Sequence, residues 1–169
     1  MDKDWSEKNK EVQSFLSKEK TYTEAIEKLI AFREEMFQQI TWIVEEYPEE
    51  AFYQMPFANA KGYHSKTLAY SIWHIFRIED IVAHEMIAED EQILFKDDYT
   101  KKIGSPIITT GNELAGEEIA EFSKKLNIQE LYLYVKTVKD TSDQILKNLQ
   151  YKDLKKIYRF ISYGTVSYK

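Results

Sequence analysis

An all-α helical bundle is the fold class this sequence predicts, and three observations predict it. Three long segments carry apolar residues at helical spacing, and none reads as a convincing strand. Most of the few helix breakers fall between the periodic segments. The 169 residues include only three prolines and five glycines. They lie at Pro48, Pro56, Gly62, Gly104, Pro106, Gly111, Gly116 and Gly164. Hydrophobic residues make up 43% and aromatics 14% of the chain. That is enough for one real core, so the chain reads as a single domain over 1–169.

The first long helix is expected over Thr23–Tyr47, where Ile26, Leu29, Ile30, Met36, Phe37, Ile40, Ile43 and Val44 keep helical spacing. Thr21, with Glu24 three residues on, reads as a capping box before it. Upstream, Asp4–Leu16 predicts a short helix packing through Trp5, Val12, Phe15 and Leu16. The second long helix is expected over Ser65–Asp90, with Ser65 as its N-cap. The connection that follows is long for a tight bundle and predicts short helices or a functional loop, with one short helix over Asn112–Leu126. The third long helix is expected over Ile128–Leu149. Asn127 and Glu130 sit in capping positions, and Leu131, Val135, Val138, Ile145 and Leu149 form the buried stripe. Asp153–Tyr163 predicts one or two further amphipathic turns, ending at Gly164.

Bulk properties exclude several functions. The formal charge is −6, which argues against nonspecific nucleic-acid binding, because a phosphate backbone demands clustered cations. There is no cysteine, so disulfides, thiolate catalysis and thiolate zinc sites are excluded. The N-terminal MDKDWSEKNK has no apolar core of the signal-peptide kind, and no apolar run reaches the roughly 18 residues a membrane span needs. A cytoplasmic protein with no membrane segment is the expectation.

The chemistry candidates lie in the second helix. Ser65–Asp90 is apolar on nearly every side, with His74 near its middle. An imidazole there must be satisfied by a hydrogen bond, a charge partner or a metal. His64 and His84 lie ten residues to either side. Ten helical residues rise about 15 Å, so the three cannot share one ion. Glu79 sits on a stripe with Leu68, Ile72, Ile75, Val82 and Met86, and Arg33 interrupts the first helix's stripe in the same way. A Glu79–Arg33 pair across two helices follows as an expectation, against the alternative that both reach water at stripe edges. The aromatics Tyr151, Tyr158, Phe160, Tyr163 and Tyr168 read as core or dimer-interface packing. No Gly-rich phosphate loop, nucleophile elbow or His-x-x-x-His pair is present.

The run KTLAYSIWHIFRIEDIVAHEMIAEDEQILFKDDYTKKI, from Lys66 to Ile103, resembles the second-helix region of the DinB/YfiT-like superfamily. The matching features are Thr-Leu-Ala, Trp-His-Ile and Arg-Ile-Glu-Asp: Trp73, His74, Ile75, Arg77, Ile78, Glu79 and Asp80. The resemblance implies a four-helix up-down bundle, here with the fourth helix short or missing. It also implies homodimers and metal-dependent enzymes such as thiol transferases, with small-molecule substrates. In that family a divalent ion, zinc or nickel, is held by one histidine on the second helix and two on the fourth. His74 matches the first position and nothing here matches the other two. Two readings stay open: a DinB-like protein of metal-dependent enzyme ancestry, thiol transferase or hydrolase-like, and a non-catalytic dimerisation or partner-binding module that has lost the metal site.

Overall fold

A computed structural model describes residues 3–55 and 65–156. The all-α class holds: every regular element among the described residues is helical. Helix α1 (Lys3–Leu16) leads through a 3-10 turn (Glu19–Thr21) into α2 (Tyr22–Glu46). Short α3 (Glu50–Tyr53) follows, then α4 (Leu68–Asp80). Helix α4 runs on as a π-helical segment over Ile81–Ala88. Three short helices, α5 (Ile93–Lys96), α6 (Tyr99–Ile103) and α7 (Glu117–Ser123), fill the long connection to α8 (Ile128–Asn148). A final 3-10 turn covers Tyr151–Lys155.

Each expected long helix is present, with local corrections. Thr21 does not cap α2: its hydroxyl donates to the carbonyls of Phe15 and Lys18 and ties the preceding turn together. Thr67, not Ser65, caps α4. Its Oγ1 accepts from the Tyr70 N–H at 3.1 Å and meets Ser123 Oγ at 2.6 Å. Ser123 already donates to the Ile119 carbonyl, so the shared proton comes from Thr67. Asn127 caps α8 as expected, accepting from the Glu130 N–H at 3.1 Å. The segment over Asn112–Leu126 narrows to α7. The turns expected over Asp153–Tyr163 begin as 3-10 rather than α, and residues from Ile157 on lie outside the described residues.

The π segment is the largest local departure. Each π turn takes in more residues than an α turn, so wheel positions counted at 3.6 per turn drift beyond Asp80. Ala83 and His84 turn inward and Val82 turns out. Glu89, in the left-handed region at φ 56°, ends the segment.

Helix α8 is the one on which both other long helices pack. Helix α2 runs antiparallel to it, since Arg33 meets Asp143 while Phe37 stacks on Tyr132. Helix α4 runs parallel to it, since Asp80 meets Tyr134 and His84 meets Thr141. The long helices therefore run up, down, down. The long connection carries the chain back so that α8 can follow α4's direction. The core lies between α4, α8 and the short helices, around Trp73, Phe122, Tyr134, Leu94, Ile103 and Val135.

Candidate functional site

His74 is satisfied by a backbone carbonyl. Its Nδ1 lies 2.8 Å from the Thr110 oxygen, and its ring stacks on Tyr70 with centroids 5.5 Å apart. A carbonyl only accepts, so Nδ1 carries the proton. This contact is one rung of a ladder. Tyr70 Oη donates to the Gly111 carbonyl, Trp73 Nε1 to Thr109 and Arg77 Nε to Ile108, at 3.1, 3.1 and 2.8 Å. Donors at i, i+3, i+4 and i+7 share one helix face, and here they grip four consecutive carbonyls. The glycine at 111 has φ 83°, and a Cβ there would stand 3.1 Å from the Tyr70 ring. Glycine thus lets the strand of loop lie flat on α4.

Below the ladder lies a buried polar centre that sequence reasoning missed. Asp80 is wholly inaccessible, and Arg77 is 2% exposed. Asp80 accepts from the Ile93 and Leu94 N–H groups, from Arg77 Nη1 at 3.0 Å and from Tyr134 Oη at 2.8 Å. Arg77 also donates to Gln92, and Gln92 to Glu85. Burial, reinforced by the Asp80 charge, pushes the Tyr134 phenol well above its ordinary pKa and keeps it a donor. The spacing Arg77–Asp80 was a usable signal, because i,i+3 opposite charges are neighbours on a helix.

The Arg33–Glu79 pair forms, at 2.7 and 3.1 Å in the two-point geometry of a guanidinium on a carboxylate. Each side chain keeps 19% of its exposure, so the pair sits at the edge of the core. Arg33 Nε adds Asp143 at 2.7 Å, a partner not foreseen. Lys139 joins Asp143 at 3.2 Å and also pairs with Glu34. The result is a chain of alternating charge, Glu79–Arg33–Asp143–Lys139–Glu34, linking α4, α2 and α8. Burial opposes the Arg33 and Lys139 cations, but the carboxylates outweigh it and both pKa values are raised. Lys139 in turn holds the Glu34 carboxyl below its usual range.

His84, buried on the π segment, spans Asp90 and Thr141: Nδ1 to Asp90 Oδ1 at 2.7 Å and Nε2 to Thr141 Oγ1 at 3.0 Å. The Thr141 hydroxyl already donates to the Thr137 and Val138 carbonyls. Both ring nitrogens of His84 therefore face acceptors. His64 lies outside the described residues.

One groove of about 1190 Å³ opens between the N-terminal half of α2 and the C-terminal half of α8. Tyr22, Ile26 and Ile30 from α2, with Leu149 and Tyr151 beyond α8, give it an apolar floor. Glu19, Glu27, Glu34 and Asp140 stand on its rim. Tyr22 and Tyr151 meet edge to face at 5.8 Å and close one end.

No family model, curated protein or solved structure matches the chain. Among the described residues no set of three His, Asp or Glu side chains is placed to hold a metal ion. His74 belongs to no such set among the described residues. No described helix is long and apolar enough to cross a membrane.

Proposed function

We propose that this chain is a non-catalytic, DinB-like dimerisation module of the cytoplasm, and that the partner face is the outer side of α4. The observation that carries this reading is an exposed aliphatic stripe. Ile75, Ile78 and Val82 are 56%, 40% and 38% exposed, on the same helix that supplies the core with Trp73 and Phe76. Clustered aliphatics left open on a core helix mark interaction surfaces. A second copy suits this stripe because of its charge. A chain of net charge −6 repels its own copy over most of its surface. The stripe is neutral, and its neighbouring carboxylate, Glu79, is neutralised by Arg33.

Light scattering across a concentration series tests the reading. The mass should rise from 20.1 kDa toward twice that value, and Ile75→Glu with Ile78→Glu should hold it at one chain without altering the melting temperature. A single-chain mass for the unaltered protein at high micromolar concentration sinks it.

The metal-dependent reading, with a small-molecule substrate, keeps one supporting feature. With Nδ1 donating to Thr110, His74 Nε2 retains its lone pair, the orientation a ligating imidazole adopts. Zinc or nickel would then bind weakly through His74. Elemental analysis of purified protein beside His74→Ala separates the readings: equal metal content supports the module, and stoichiometric metal lost in the variant supports the enzyme.

A further inference from the structure

We infer that the α2–α8 groove is a docking site for a cationic amphipathic helix of a partner protein, distinct from the α4 face. Three features point to this occupant. The first is shape. Lining positions on α2 run from Tyr22 to Glu34, a rise of about 18 Å, which matches three turns of helix. A volume of about 1190 Å³ is more than the 300–1,000 Å³ typical of compact ligand pockets. The second is the floor. Tyr22, Ile26 and Ile30 recur every four residues at the base of the groove, Tyr22 and Ile26 buried and Ile30 half-buried, so the floor is apolar and lies below the charged rim.

The third feature is charge. Five carboxylates line the groove (Glu19, Glu27, Glu34, Asp140 and Asp143), against the two cations Lys139 and Lys147. Lys139 is already committed to Glu34 and Asp143. Glu19 and Glu27 make no ion pair with any described residue, and both are exposed on the same wall. Each stands four residues from Thr23, Glu19 on the 3-10 turn before α2 and Glu27 on α2 itself, and they offer unmet negative charge along an apolar trough. An occupant with leucines on one face and lysines along its flank satisfies both. A neutral apolar helix satisfies only the floor, and an acidic one meets repulsion at the rim.

Fluorescence anisotropy on the full chain tests this with a labelled fourteen-residue peptide of leucine and lysine patterned as an amphipathic helix. Two controls are the same peptide with glutamate for lysine and a composition-matched scramble. The lysine peptide should bind, weaken with added salt and shift the amide resonances of Tyr22–Glu34 and Lys139–Lys147. Glu19→Lys with Glu27→Lys should weaken it about tenfold. Both positions are exposed, and an unchanged melting temperature certifies the fold. Ile75→Glu with Ile78→Glu should leave peptide affinity unchanged, so failure of the dimer reading does not touch this one. Equal binding of the glutamate peptide or the scramble overturns the inference, as does binding that ignores the Glu19/Glu27 reversal or shifts resonances elsewhere.

Discussion

Helix α8 takes part in two interfaces built on different chemistry. Toward α4 it is sealed: Tyr134 reaches Asp80, Trp73 and Tyr134 tilt against each other at 6.1 Å, and Val135 and Val138 are wholly buried. The charge within this interface, Asp80, is satisfied by four donors and sees no solvent. Toward α2 it is open: Arg33 and Lys139 hold the helices together at the water's edge, and a groove runs beside them. The difference teaches where this fold is rigid. A sealed carboxylate held by four donors defines one arrangement, because each alternative strands a charge. Ion pairs at an edge hold helices together while water remains able to replace either partner.

The largest expected effect is at the sealed side. Asp80→Asn keeps the shape but gives up the charge that answers Arg77, and replaces one acceptor oxygen with a donor. It should cost about 3–5 kcal/mol in urea unfolding. A cost under about 1 kcal/mol would mean that water reaches the centre and that the two interfaces are alike.

On the open side the effect should be intermediate. Arg33→Met takes the cation from Glu79, which keeps 19% of its exposure and can recover hydration, while buried Asp143 keeps Lys139 at 3.2 Å. A loss of about 1–3 kcal/mol lies between the exposed and buried limits. A double-mutant cycle with Glu79→Gln reads the Glu79 leg alone, since Asp143 persists in every corner of the cycle. Coupling indistinguishable from zero would mean that the pair is not populated in solution.

The smallest effect belongs to the rim. Lys139 depresses the Glu34 pKa, so this pair contributes stability above the unfolded carboxyl value of about 4.3 and loses it as pH falls through the lower folded value. The stability difference between the unaltered chain and Glu34→Gln should be flat from about pH 5 to 8 and shrink toward about pH 3. A difference that grows on acidification would reverse the assigned sign.

The Arg33–Glu79 pair was legible in the sequence because both residues break an apolar stripe at helical spacing. Asp143 was not, since its partner is 110 positions away and nothing local in α8 marks it. His74 shows the same limit from another direction. Sequence demands that a histidine on an apolar helix be satisfied, but its acceptor is a backbone carbonyl, a group every residue carries. The ladder from Tyr70 to Arg77 was half visible, as donors sharing a face. The other half is a loop whose path no periodicity records. The π segment over Ile81–Ala88 left no signal in the periodicity, and His84, which the spacing marked only as too far from His74 to share an ion, proves to be a buried bridge between Asp90 and α8.

By itself the sequence determined the helical class, the placement of the three long helices, the Asn127 cap and the acidic surface. These follow from periodicity, short-range capping geometry and composition, which act over a few residues. Only the tertiary structure decided that α8 runs parallel to α4, that Thr110 holds His74, and that Asp80 gathers four donors from three places in the chain. Each of those depends on which surfaces meet after the long connection has crossed the bundle, and a contact made across space leaves no period along the chain.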